Sequence, residues 1–316
     1  MKKLGVAVIG TGFWGKNHAR VYRELPSTEL VAICDVDPKR AKNIADQFGA
    51  KMYTSSARML KNKDIEAVSI CTWSTMLAKE ALRALRAGKH VLVEKPMATN
   101  TRQARRLIEA AEENGLHLTV GFLMRFIPGL QRIREATEKR KIGDLVCITA
   151  KRVGQWPERI GDIGVVKDTA IHDIDVMRYV SNEDPISVYD KAGSMKNTKF
   201  EDYAQIMLAY EGVKSAFIES NWLTPYKTRT LTVTGSEAIM RLDYITQDLW
   251  IESAKESFQP KYPFQEPLKL ELQHFAECIT EKKKPLISGR DGLKALQIAE
   301  AALRSSAKNR MISLKS

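Results

Sequence analysis

The sequence predicts an α/β protein of two domains: a doubly wound parallel sheet over residues 1–121, then an α+β domain over 122–316 built on an open, largely antiparallel sheet. Three observations carry this. As far as residue 121, short apolar runs alternate with helical segments, the rhythm of a parallel sheet with helical crossovers. A glycine cluster, Gly10-Thr11-Gly12-Phe13-Trp14-Gly15, falls between the first apolar run and the first helix. Beyond Gly121 the strand candidates lengthen and follow one another through tight turns, which implies antiparallel pairing.

In the first domain the predicted strands are 4–9, 30–34, 66–71, 90–93 and 116–121. Helices lie between them, among them Thr75 to Ala87, stopped by Gly88, and Arg102 to Glu113, stopped by Asn114-Gly115. The second domain opens with a helix near Leu130 to Lys139, followed by strands at 144–153, 186–192, 203–210, 213–222 and 229–234. Glu211-Gly212 and Thr234-Gly235-Ser236 supply turns. Helices at 168–181, 268–281 and 291–306 are expected to cover one face of this sheet and leave the other to a partner subunit, giving a homo-oligomer, dimer or tetramer.

The glycine cluster has a chemical reading. Val6 to Ile9 ends at Gly10, which makes the turn; Gly12 lets backbone amides approach a pyrophosphate; Gly15 lets the helix meet the strand. Gly10, Gly12, Phe13, Trp14 and Gly15 are thus the expected dinucleotide contacts of a Rossmann unit. Asp35, twenty residues after Gly15 and at the end of the second strand, suits a carboxylate that accepts bonds from an adenosine ribose. Its charge repels a 2′-phosphate and favours NAD, while Lys39 and Arg40 keep NADP as the second reading.

Composition narrows the class. At 316 residues, 44% hydrophobic and 28% charged, the chain can fill its cores without disulfides or metal staples. Cys34, Cys71, Cys147 and Cys278 form no CxxC pair and sit mostly in apolar runs, as buried thiols in a reducing cytoplasm would. Met1-Lys2-Lys3 resembles the start of a signal peptide, but Gly5, Gly10 and Gly12 interrupt the apolar run, and no stretch approaches the ~20 apolar residues of a membrane span. A soluble, unprocessed cytoplasmic protein is expected. The net charge of +12 favours anionic ligands, but acids are interspersed and no nucleic-acid motif accompanies the basic residues. Lys282-Lys283-Lys284 suits a helix C-terminus.

Two further segments carry chemistry. Glu94-Lys95-Pro96 follows Val91-Leu92-Val93, so Lys95 stands at the C-terminal edge of a parallel strand, where ligands bind such sheets. There it can donate to a substrate hydroxyl; the alternative is an exposed lysine paired with Glu94. In Asp168-Thr169-Ala170-Ile171-His172-Asp173-Ile174-Asp175, a helix puts Asp168, His172 and Asp175 on one face. That segment alone admits a general base, a packed histidine or a metal site. With Lys95 and the nucleotide turn beside it, a base accepting a hydroxyl proton is the reading chosen, with no metal. His18, His90, His117 and His274 lack comparable company in the sequence.

With these residues in hand, the chain resembles the Gfo/Idh/MocA family of sugar oxidoreductases over nearly its whole length. The resemblance implies a substrate held between the two domains, with Lys95, Asp168 and His172 as the catalytic set and Glu94, Lys95, Thr72 and Ser74 near the cofactor. Arg152-Val153-Gly154, Pro157, Arg159, Asp162 to Val166 and Ala170 to Asp175, with Arg125-Phe126 and Pro128, resemble the branch that oxidises the 3-hydroxyl of UDP-N-acetylglucosamine with NAD. Lys95, Arg125, Arg152, Arg159, Asp168 and His172 are then the expected substrate contacts, with Arg152 and Arg159 on the diphosphate. One departure stands out: the family's Thr-Pro and following histidine are replaced by Thr72-Trp73 and Leu77. The alternatives are a dehydrogenase of a free polyol or sugar, of inositol or glucose type, and a nucleotide-sensing regulator without activity.

Overall fold

The structure, a computed structural model, describes residues 3–157, 161–196 and 199–314. The chain divides into two compact units, Met1–Phe122 with Pro267–Lys294, and Leu123–Glu266 with Ala295–Ser316.

The first unit alternates strands and helices: β1 (Leu4–Ile9), α1 (Phe13–Glu24), β2 (Thr28–Cys34), α2 (Pro38–Phe48), β3 (Lys51–Tyr53), α3 (Ser56–Met59), β4 (Ala67–Ile70), α4 (Ser74–Arg86), β5 (His90–Val93), α5 (Thr101–Glu113) and β6 (Leu118–Val120). The six strands pair in parallel in the order β3-β2-β1-β4-β5-β6. Strand order therefore reverses between β1 and β4, and the C-terminal ends of those strands form the crevice where such sheets bind ligands. Every residue of β1 is buried, as a strand covered by helices on both faces requires.

One helix lies where the periodicity did not put it. The segment predicted at 268–281 is α8 (Pro267–Thr280), and it belongs to the first unit. Its apolar residues Leu268, Leu272, Phe275 and Ala276 share a core with Ala19, Tyr22 and Leu25 of the α1 region and with Leu4, Val6 and Val8 of β1. An amphipathic pattern says that a helix needs a core, not which one. The first unit is thus assembled from two stretches of chain rather than from residues 1–121.

The second unit holds a 3₁₀ turn at Leu123–Phe126, α6 (Pro128–Glu138), β7 (Leu145–Gln155), a π turn at Val166–Ala170 and α7 (Ile171–Ser181). It continues through β8 (Ser187–Gly193), β9 (Tyr203–Ala209), β10 (Ser215–Asn221), β11 (Leu223–Gly235), β12 (Ala238–Asp243), β13 (Leu249–Ser253) and β14 (Ser257–Phe258). After α8, the chain ends with α9 (Gly289–Lys308) and β15 (Ile312–Ser313). The nine strands form one sheet, β14-β13-β12-β11-β7-β10-β9-β8-β15. Among the described residues of this sheet, β7 and β10 pair in parallel and the remaining neighbours pair antiparallel.

Alternation along the strands separates two faces. Ile148, Ala150, Ile206, Leu208, Ala216, Ile218, Leu231 and Val233 are buried on the face that α7 packs against. On the other face, Phe217 pairs across with Met207 and Thr149, and Thr149 with Thr232, while Phe217 and Trp250 remain exposed. No helix among the described residues is long and apolar enough to cross a membrane.

Candidate active site

The glycine turn has the geometry that the sequence anticipates. Gly10 has φ +90°, a conformation open to glycine, and a Cβ on Gly15 would stand 1.8 Å from the carbonyl oxygen of Gly10. At Gly12 nothing lies within 4 Å of an added Cβ. That open space ahead of the N-terminus of α1 fits a pyrophosphate brought close to backbone amides. Phe13 is 65% exposed beside it, and Trp14 meets its ring edge to face at 5.4 Å while packing on the core.

Asp35 closes the turn from the neighbouring strand. Its Oδ2 accepts both the N–H and the hydroxyl of Thr11 at 2.7 Å, and its Oδ1 accepts the N–H of Asp37 at 2.9 Å. Asp37 in turn caps α2 and accepts a bond from Arg40 Nε at 2.9 Å, which with the Arg40 backbone holds the Asp37 carboxyl below its ordinary value. Arg40, which with Lys39 was expected to offset Asp35 toward a 2′-phosphate, is thus engaged by an acid of its own. Thr72 and Ser74 flank Trp73, which stands just before α4 and is 58% exposed; Leu77, where the family has a histidine, is buried.

Lys95 is buried, at 6% exposure, rather than standing in solvent against Glu94. Glu94 is buried too, and its Oε2 accepts the Lys95 N–H at 3.2 Å. Its Oε1 lies 3.1 Å from Nε2 of His18, which is completely buried on α1. Sequence reasoning gave His18 no company because its partner is 76 positions away. The available signal was a polar residue on the buried side of α1, among Gly15, Ala19 and Tyr22, since a buried polar group needs a partner. Nearby Cys71 is a buried thiol pushed well up by desolvation, then by Glu94 and Glu271.

In the second unit the helix expected at 168–181 starts differently. Val166–Ala170 forms a π turn, and a regular α-helix begins only at Ile171. Glu201 holds this entry: its carbonyl oxygen accepts the Val165 N–H at 2.9 Å and its Oε1 the Val166 N–H at 3.1 Å. A Cβ on Gly164 would stand 2.2 Å from that carboxyl group. The wide turn departs from the regular 3.6-residue spacing behind the single face predicted for Asp168, His172 and Asp175; Asp168 and Asp175 are buried and His172 is half-buried.

Asp173 and Asp175 are held by arginine forks. Arg152 donates from Nε and Nη2 to Asp173 at 2.7 and 2.9 Å; Arg125 does the same to Asp175 at 2.8 and 2.6 Å. Burial opposes the charge of Arg152, but Asp173 outweighs it and keeps the guanidinium firmly protonated. Both arginines, expected at the substrate, therefore anchor α7 from β7 and from the 3₁₀ turn. Arg159 lies outside the described residues.

Asp168 is buried at 6% exposure, and Thr169 Oγ1 donates to its Oδ2 at 3.1 Å. Trp222 Nε1 donates to the same hydroxyl at 2.9 Å. No group of three or more His, Cys, Asp or Glu side chains placed to hold a metal occurs among the described residues.

Two family profiles account for most of the chain. Residues 4–122 match the Gfo/Idh/MocA oxidoreductase family, NAD-binding Rossmann fold, and residues 130–241 match the Gfo/Idh/MocA C-terminal domain. The chain belongs to the Gfo/Idh/MocA family. An inositol 2-dehydrogenase of Rhizobium meliloti is 29% identical over 97% of this chain and 98% of its own length. Among solved structures, an oxidoreductase from Agrobacterium radiobacter in complex with NAD+, L-tartaric acid and magnesium superposes with a TM-score of 0.91 at 21% identity, covering 99% of this chain and 98% of that one. A UDP-N-acetylglucosamine 3-dehydrogenase from Acidithiobacillus ferrooxidans gives 0.89 at 24%, covering 97% and 99%. These two structures share the fold of this Gfo/Idh/MocA protein. It is an NAD-dependent oxidoreductase acting on CH–OH groups of sugars or polyols.

Proposed function

We propose that this oxidoreductase converts the 3-hydroxyl of UDP-N-acetylglucosamine to the 3-keto nucleotide sugar. The observation that carries this choice of substrate is the gathering of basic side chains around Lys227. Its ammonium is held below its ordinary value by Arg229, then by burial and by Arg152. Arg229 and Arg152 face each other in the β11–β7 register, and the carboxylate nearest Arg152, that of Asp173, is already bonded through both oxygens. Lys227 beside Arg229 and Arg152 suits an anionic substrate such as a diphosphate. The branch resemblance through Arg152 to Asp175 supports the same reading.

In this reading Lys95 donates to the sugar hydroxyl, His172 takes the hydroxyl proton, and Asp168 orients His172. NAD, held at the Gly10 to Gly15 turn and by Asp35, supplies the hydride acceptor. A proton acceptor at the oxidised hydroxyl is worth on the order of 10²–10⁴ in rate. The sheet face of the second unit that carries the exposed Phe217 and Trp250 is the surface we propose for self-association. Cys34, pushed up to about 12 by burial, then Glu80 and Asp35, suits a reducing cytoplasm.

NADH formation with UDP-N-acetylglucosamine, other nucleotide sugars and free myo-inositol tests the proposal. Turnover of UDP-N-acetylglucosamine, with KM raised about tenfold in Lys227→Met, supports it. Oxidation of inositol without any nucleotide sugar overturns it in favour of a polyol dehydrogenase. Inositol dehydrogenases among the curated relatives, at 29% and 27% identity over nearly the whole chain, favour that second reading.

A further inference from the structure

We infer that Trp222 and Thr169 are positioning residues for Asp168, acting through one directed chain of hydrogen bonds. The direction follows from the atoms. An indole N–H can only donate, so Thr169 Oγ1, 2.9 Å from Trp222 Nε1, must accept there. The hydroxyl's own proton is then directed at Asp168 Oδ2, 3.1 Å away. A hydroxyl without the indole could turn its proton elsewhere; with it, the rotor is locked toward the carboxylate.

The surroundings make this chain rigid. Trp222 lies between β10 and β11, its backbone N–H donates to the Asp202 carbonyl at 2.9 Å, and its ring meets Trp156 edge to face at 4.9 Å. Thr169 sits within the π turn, one residue after Asp168. Asp168 and Trp222 are both buried, so water does not compete freely for these bonds. The inference rests on the reading of Asp168 as part of the catalytic set.

The test compares Trp222→Phe, Thr169→Val, Thr169→Ser and Asp168→Asn in the full chain. Phenylalanine keeps an aromatic ring but loses the N–H donor together with the pyrrole half of the indole. With whichever of UDP-N-acetylglucosamine or myo-inositol yields NADH, Trp222→Phe and Thr169→Val should each lower kcat about tenfold. KM should stay within about twofold, Thr169→Ser should restore kcat, and Trp222→Phe with Thr169→Val should be no slower than Thr169→Val alone. A readout free of substrate accompanies these: the NMR signal of the indole N–H, assigned by its loss in Trp222→Phe, should move in Thr169→Val and stay in Thr169→Ser.

Normal kcat in Trp222→Phe beside a slow Asp168→Asn overturns the positioning chain and leaves the reading of Asp168 standing. Normal kcat in Asp168→Asn overturns that reading and the inference with it. An indole signal indifferent to Thr169→Val overturns the hydrogen-bond chain whatever the substrate.

Discussion

Nε2 of His18 lies 3.1 Å from Oε1 of Glu94, both side chains buried, so α1, which starts at the dinucleotide turn, is tied to the strand end that presents Lys95. His18→Leu leaves the carboxylate buried without that bond, at a cost of about 1–3 kcal/mol. Thermal unfolding should show a Tm lower by several degrees, with a smaller loss in His18→Gln, which retains a donor. Equal Tm values for wild type and His18→Leu would show that the pair is dispensable.

Asp35 holds the turn through Thr11 and, in the reading proposed above, also binds the ribose. Asp35→Ser should weaken NAD binding by about tenfold or more, while narrowing the preference over NADP because the repelling charge is gone. Titration of the two cofactors by fluorescence measures both effects. An unchanged ratio of affinities would mean that selectivity lies elsewhere.

His172→Ala should keep NAD affinity near wild type while turnover falls by about a hundredfold or more. Steady-state NADH formation and a direct binding titration separate the two quantities. Turnover close to wild type would remove His172 from the role of base.

Asp190 offers a pH test in the second unit. Burial, reinforced by Glu201, raises its carboxyl from 3.8 to about 7. The folded state therefore binds this proton more tightly than the unfolded chain, and the group's contribution to stability falls as pH rises from 3.8 to about 7, then levels off. Asp190→Asn should remove that decline, gaining on wild type across this window in urea unfolding followed as a function of pH. Glu201, raised chiefly by burial, contributes a decline of the same sign that the variant retains.

The parts legible in the sequence are those whose cause is local. The turn from Gly10 to Gly15 declares itself because backbone approach demands glycine at fixed spacing, and Asp35 and Lys95 because each ends an apolar strand. The parts that were not legible depend on partners distant in the chain. Arg152 reads as a diphosphate contact until Asp173 is seen to accept from its Nε and Nη2, and His18 reads as idle until Glu94 is seen beside it. The π turn escaped because a count of 3.6 residues per turn assumes a regular helix, whereas Glu201 and Gly164 impose a wider one.

The return of α8 to the first unit has a consequence for the order in which the protein is made. During synthesis the nucleotide-binding sheet emerges first, but the surface around Ala19, Tyr22 and Leu25 waits for Leu272 and Phe275, more than two hundred residues later. The ribosome must deliver the eight strands β7 to β14 before the earlier unit can close. A fragment cut after residue 122 is therefore an unfinished domain with an apolar flank open to aggregation, and a nascent chain passes through that same vulnerable stage each time.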